Sequence, residues 1–224
     1  MSGDLGEDEV MTTSSDQQMQ LGLVMKDAPY RPGVAVVLAG HERCEAMDTI
    51  KTRHYTRSVS SAKSHYVRFE DALVVWSIPA NKNIAKFLFG WNANVWELSR
   101  LWAPDGHELN LLTRAISAGV KIIKRLENPD ALVSYADPNV GHHGGVYRAA
   151  SWIYHGRSDE VRSWKSSDGC TIARRAFHSA GKSLVKSEIE ALGYTEIRSS
   201  GKERFVRPLT RKAKRFLYLR MGAS

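Results

Sequence analysis

The chain has 224 residues, 42% of them hydrophobic, which suits one large folded domain and excludes a wholly disordered polymer. No apolar run reaches the length of a membrane span, and two distant cysteines, Cys44 and Cys170, exclude a disulfide framework or a cysteine zinc cluster and fit a reducing cytoplasm. The net charge of +8 is unevenly spread, with −5 over residues 1–27 and +7 over residues 201–220, a balance that points to a polyanionic partner, above all nucleic acid.

Residues 1–27 are acidic, rich in Ser, Thr and Gln and without period, so they are expected to be disordered and carry no signal or transit peptide pattern. A folded domain is expected over 28–210 and a basic tail over 211–224. VAVVLAG (34–40) reads as a buried strand. HERCEAMDTIKTRHY (41–55) reads as a helix. SHYVRFE and ALVVWSIPA read as two strands around a Glu70-Asp71 turn. NVWELSRLWAP (94–104) is a further strand, stopped by Pro104. Leu112, Ile116, Val120 and Ile123 mark a helix over 109–126, closed by Asn128-Pro129. ALVSYA (131–136) is the next strand, 144–151 a short helix and WIYHGR another strand. Residues 181–192 form an amphipathic helix ending at Gly193, and YTEIR-SSGK-ERFVRPL reads as a closing hairpin.

This order gives a mixed α/β domain. A long helix between the strands 95–102 and 131–136 is a parallel crossover. Ligands in such sheets bind at the carboxyl ends of strands, which directs attention to Asp137 and the segment YADPNVGHHGGVYRAASWIYHGR (135–157). Asp137 precedes Pro138 and is either a turn-capping aspartate or a strand-end carboxylate. The adjacent His142 and His143 lack a metal-ligand spacing, so no metal is expected, although two histidines and a carboxylate form the ligand set of a mononuclear iron site. Gly144-Gly145 permits close backbone approach. Tyr147 offers a hydroxyl for proton transfer, and His54-Tyr55, between Arg53 and Arg57, offers an imidazole near neutral pKa.

HYT (54–56), WELSRLWAP (96–104), the 135–157 segment and KERFVRPL (202–209) together resemble the bacteriophage Mom family of DNA-modification proteins, over roughly residues 30–210. The resemblance implies a GNAT-like (N-acetyltransferase-like) fold with a mixed sheet and splayed central parallel strands, which would be 95–102 and 131–136. It implies a phage enzyme acting in the host cytoplasm. That enzyme converts adenine in double-stranded DNA to N6-carbamoylmethyladenine and so protects the DNA from restriction. Its functional residues fall on His54, Tyr55, Asp137 and Tyr147. Ser99, Arg100, His142, His143, Gly144, Gly145 and Arg148 would hold substrate and donor. Arg53, Arg57, Lys63, Lys202, Arg204, Arg211, Lys212, Lys214 and Arg215 would contact phosphates. Any of Trp91, Trp96, Trp102, Trp152 and Trp164 not needed in the core would stack a base.

Ordinary acetyltransferases place a glycine-rich pyrophosphate loop where this chain has APDGHELNLL, with one glycine. An activated glycyl ester such as glycyl-tRNA supplies the second nitrogen of the product and is the expected donor, with acetyl-CoA as the alternative. Transfer RNA is then a further partner beside DNA. The competing readings are an acetyl-CoA-dependent N-acetyltransferase and a catalytically inactive DNA-binding protein. The sequence leaves the oligomeric state open, a dimer included.

Overall fold

The computed structural model describes residues 33–222 except 168, 170, 174–176 and 178–184. The expected acidic segment 1–27, Cys170 and the start of the expected helix at 181 lie outside the described residues. Among the described residues, ten strands and six helices follow one another as β1 (Ala35–Leu38), α1 (Gly40–Arg53), β2 (Ser64–Phe69), β3 (Ala72–Ser77), α2 (Ile84–Phe89), β4 (Val95–Trp102), α3 (Leu111–Glu127), β5 (Ala131–Ala136), α4 (Gly145–Ala149), β6 (Ile153–Arg157), β7 (Val161–Lys165), β8 (Thr171–Ala173), α5 (Lys186–Ala191), β9 (Thr195–Ser199), β10 (Glu203–Pro208) and α6 (Arg211–Met221). Seven strands form one sheet in the order β1-β2-β3-β4-β5-β10-β6, and β8-β7-β9 form a second.

The large sheet is antiparallel except for β4 and β5, the parallel pair that the crossover predicts. Its two faces fill differently. Val74, Trp76, Trp96, Leu98 and Leu132 pack with Ile116, Val120 and Ile123 of α3. On the other face Val95, Val133 and Val206 pack with Leu88 of α2 and with Ala213 and Leu217 of α6. Tyr66, Leu73 and Val75 pack there with Ala46 and Ile50 of α1. Full burial of each such aliphatic side chain contributes about 1.5–3 kcal/mol, which is why the helical stripe of α3 is so legible in the sequence. Gly119 lets α3 approach the sheet, since a Cβ there would sit 2.9 Å from Trp76 Nε1.

The parallel ladder runs only from Val95 opposite Ala131 to Leu98 opposite Ser134. Beyond that point β4 stays with β3 as far as Trp102, while β5 stays with β10 as far as Ala136. The two strands therefore part, and a split opens at their carboxyl ends. A bulge between Val75 and Trp76 in the β3–β4 ladder falls at the same level and adds local twist to β4.

Three expectations fail. β9 and β10 do not form a hairpin: β9 pairs with β7 in the small sheet, whereas β10 inserts between β5 and β6. Phe205 and Val206, on opposite faces of β10, are both fully buried, as suits a strand paired on both sides in a sheet with both faces covered. The stretch 34–40, read as a buried strand, instead supplies the sheet's edge strand β1, with Val36 and Val37 46% and 39% exposed. The basic C-terminal segment is a helix over Arg211–Met221. The Thr210 hydroxyl caps it by accepting from the Ala213 amide, and Ala213 and Leu217, one turn apart, enter the core. Among the described residues no helix is long and apolar enough to cross a membrane.

Candidate active site at the split between β4 and β5

The floor of the split is a single hydroxyl. Ser134 Oγ donates to the Leu98 carbonyl at 2.8 Å, tying β5 to β4 at their last parallel pair. The Ser134 hydroxyl also lies near enough to the Tyr147 phenol to lower its pKa. Tyr147 reaches this point from α4 as a buried residue, its ring centroid 5.2 Å from that of Phe205 and 5.6 Å from that of Trp152. Gly144 makes this packing possible: its φ is +69°, and a Cβ there would fall 2.1 Å from Phe205. Burial first, then the nearby Tyr55 and Glu97, push the Tyr147 phenol up to about 12 against the opposing Ser134 hydroxyl.

Asp137 follows β5 directly. Pro138 opens a short 3-10 turn, and Asp137 Oδ1 accepts from the Asn139 amide at 3.1 Å and from Asn139 Nδ2 at 2.8 Å. Oδ2 lies 3.0 Å from Lys202 Nζ. Burial alone would raise this carboxyl, but the hydrogen bonds from Lys202 and Asn139 outweigh burial and hold it below the ordinary carboxylate range. Asn139 also exchanges two hydrogen bonds with Ser200, so the loop before β10 braces the carboxylate.

His54 is the C-cap of α1 and is buried. Its Nδ1 lies 3.2 Å from the Thr56 backbone nitrogen and 2.9 Å from Thr56 Oγ1. A backbone amide can only donate, so Nδ1 is an acceptor and the neutral ring carries its proton on Nε2. Burial first, and then Arg100, His142 and Lys202, lower its pKa to about 4, which leaves it neutral at pH 7. The Tyr55 ring sits 4.5 Å from that of His54 and 4.9 Å, edge-on, from that of His142. Loss of solvation and the Asp137 carboxylate raise the Tyr55 phenol, with Arg100 opposing.

Three separate segments therefore bring together His54, Tyr55, Asp137 and Tyr147, with Arg100, His142 and Lys202 in their field. Arg100 organises this arrangement. Its Nε donates to the Ser58 carbonyl at 2.8 Å and one terminal nitrogen lies 3.0 Å from Ser58 Oγ, so it fastens the loop after His54 to β4. Ser99 faces β3 instead, its hydroxyl donating to the Val75 carbonyl. Gly145 begins α4 with open space around it. His143 is exposed and does not share the ring contact of His142. Arg148 lies over the Tyr154 and Phe205 rings, near Glu203. Among the described residues, no three His, Cys, Asp or Glu side chains gather in a metal-ligating group.

The expected phosphate contacts divide. Arg53 and Arg57 are exposed on either side of His54 and Tyr55. Lys63 is held by Glu127 at 2.7 Å, and Lys202 by Asp137. Arg204 is buried, its guanidinium over the Phe87 ring and donating to the His155 carbonyl, so it is not a surface phosphate ligand. Arg211, Lys212, Lys214 and Arg215 are exposed on α6. Trp96, Trp152 and Trp164 are buried in the cores, leaving the half-buried Trp91 and Trp102 as the rings nearer solvent. Sequence reasoning missed Thr56, Ser58, Ser134 and Asn139. Only Asn139 had a local signal, because an Asp-Pro-Asn run is a turn in which Asp accepts from the amide two residues on.

The model of the family described as the Mom protein family matches residues 36–223. The chain is also 31% identical over 124 residues to the methylcarbamoylase mom of Escherichia phage Mu, an alignment that covers 52% of this chain and 52% of that protein. The chain thus spans about half the length of the curated relative it matches.

Proposed function

The chain belongs to the Mom protein family, and from that premise we propose that it is a DNA-modifying transferase that converts adenine to N6-carbamoylmethyladenine, shielding phage DNA from restriction. The observation that carries this reading is the convergence of His54, Tyr55, Asp137 and Tyr147 where the one parallel strand pair parts. The same parting of β4 from β5 supports a GNAT-like fold. The name of the phage Mu relative, a methylcarbamoylase, supports the reaction class.

The exocyclic amine of adenine is stacked in the duplex and its lone pair is delocalised. Extruding the base costs a few kcal/mol, which cationic groups such as Arg53 and Arg57 offset by holding the flanking phosphates. The donor is a glycyl ester carried on transfer RNA. The loop 103–110 carries Asp105 and Glu108 just ahead of α3, and carboxylates there disfavour a pyrophosphate, which speaks against acetyl-CoA.

In the first step the adenine nitrogen bonds to the glycyl carbonyl carbon and the ester C–O bond breaks. Asp137, ionised at neutral pH, accepts the proton that the amine sheds. Tyr147, protonated at neutral pH, gives its proton to the departing ribose oxygen and regains one from the protonated Asp137, which closes the proton cycle. His54, neutral and protonated on Nε2, donates a hydrogen bond to the carbonyl oxygen as it gains charge. In the second step the glycine nitrogen attacks ring carbon 6 and closes a five-membered ring. The bond from carbon 6 to the original nitrogen then breaks, and that nitrogen leaves as the terminal carboxamide. Atoms balance, because the rearranged product is an isomer of the glycyl adenine.

The test is isotopic. DNA from cells expressing the chain and fed glycine labelled with heavy nitrogen is digested, and the modified nucleoside is fragmented. The label is expected on the nitrogen attached to ring carbon 6. Label in the carboxamide would replace the rearrangement with amidation of a carboxymethyl group. No label at all would return the thioester donor.

A further inference from the structure

One side of the protein is rich in cations, with Glu97, Glu127 and Asp130 at its border. Residues 78–96, which contain α2, and residues 204–224, which contain α6, include no Asp or Glu. The two helices are joined: Arg220 donates to the Phe87 carbonyl, and Lys212 Nζ lies 3.8 Å from the centre of the Trp91 ring. Ala213 and Leu217 are spent on the core, so the cations of α6 stand on a rigid support. Arg211, Lys214 and Tyr218 follow at i, i+3 and i+7 and share one exposed stripe. Aromatic rings are exposed among these charges, Phe87 at 50%, Tyr218 at 52% and Phe216 at 39%. A groove of about 390 Å³ opens at the first turn of α2, where Lys82, Ile84 and Ala85 face Asn94, Trp96 and the ion pair of Lys63 with Glu127.

Cations alone suit any phosphate backbone. Exposed rings among them suit unpaired bases, which stack on an aromatic face only when they are free of a partner strand. A second copy of the chain would set the same cations against each other. We propose that the α2–α6 face seats the unpaired strand of the RNA that carries the donor, an assignment that rests on the glycyl-RNA reading above. The face and the catalytic cluster are built on the same strand. Tyr135, two residues before Asp137, packs against the core that holds α6; the groove beside Asn94 and Trp96 lies at the amino ends of β4 and β5 and the split at their carboxyl ends, so an RNA strand seated here runs the length of β5, about 20 Å, to reach the cluster.

The full chain is tested with an unstructured RNA of twelve uridines and, separately, with duplex DNA of the same length, by fluorescence anisotropy over a salt series. The double variant Lys214→Glu, Arg215→Glu should bind the RNA at least tenfold more weakly. Its log–log salt slope should flatten by about 1.4 if two phosphate contacts are lost. Tyr218→Ala should weaken RNA binding about fivefold or more while leaving the circular dichroism spectrum unchanged. Duplex affinity should hold in Tyr218→Ala and should fall by less than RNA affinity in the charge-reversal variant. Unchanged RNA affinity overturns the assignment, and an equal loss on duplex DNA gives the face to the DNA substrate instead. Binding requires no turnover, so failure of the donor reading, seen as absence of glycine label in the base, is a separate result.

Discussion

Asp137→Asn keeps the shape of the side chain and removes its charge. The Asn139 hydrogen bonds to Oδ1 survive, while the 3.0 Å contact to Lys202 loses its ionic partner. The Lys202 side chain is 45% exposed, so solvent screens the pair and its loss costs about 0.5–1 kcal/mol. A domain holds about 5–15 kcal/mol of stability, so the variant stays folded. A carboxylate that takes the amine's proton is worth about 10²- to 10⁴-fold in rate, far beyond that structural cost. Single-turnover modification of a duplex, with nucleosides quantified by mass spectrometry, separates the two scales. Lys202→Met, alone and combined with Asp137→Asn, completes a double-mutant cycle. If Asp137 served only to neutralise Lys202, the double variant would recover activity. Modification by Asp137→Asn at the wild-type rate would reduce Asp137 to a turn residue and refute the assignment.

Tyr147→Phe retains the packing on Phe205 and Trp152 and should change stability by no more than about 1 kcal/mol, yet slow single-turnover modification at least about 100-fold; a wild-type rate would remove the phenol from the proton path. Gly144→Ala should destabilise the chain by about 3 kcal/mol or more, from the left-handed backbone and the 2.1 Å approach to Phe205, read as a fall in the urea midpoint at constant slope. The His54 pKa of about 4 in the folded chain lies below its ordinary 6.5, so its contribution to stability is complete above pH 6.5 and is lost as the pH falls toward 4. Urea melts of His54→Asn should therefore show a shallower loss over that window than the parent protein, and an identical loss would mean that His54 is not the residue resisting protonation.

Much of the frame was legible because burial imposes periodicity. The stripe of α3, the doubly buried β3 and the parallel crossover from β4 to β5 all rest on apolar spacing, which a sequence displays directly. Where packing depends on distant partners, the sequence misled. ERFVRPL has the alternation of a hairpin arm, but its choice of neighbours is decided by the space between β5 and β6, which no local pattern encodes. The cations of α6 mask its helical core stripe, because only Ala213 and Leu217 of eleven residues are buried. The members of the candidate cluster were visible as residue types. Their supports were not: Ser134 and Ser58 are ordinary serines until the fold places one at the floor of the split and the other under Arg100.

The protonation states in the cluster constrain the chemistry more than its composition does. A histidine beside two tyrosines and an aspartate suggests an imidazole base, yet the Thr56 amide occupies Nδ1 and burial keeps the ring neutral, so Nε2 faces the reaction as a donor. Tyr147, pushed up to about 12, and Tyr55, also raised, keep their protons. Asp137 alone among the four is ionised at neutral pH, and it is held so by Lys202 and Asn139. Such a site offers several neutral hydrogen-bond donors and one carboxylate. That set suits attack by a weak amine on a carbonyl whose oxygen gains negative charge, since neutral donors stabilise the developing charge without first protonating the nucleophile. A protonated His54 would instead add to the positive field of Arg100 and Lys202, and burial prevents this near neutral pH, as the proposed acyl transfer requires.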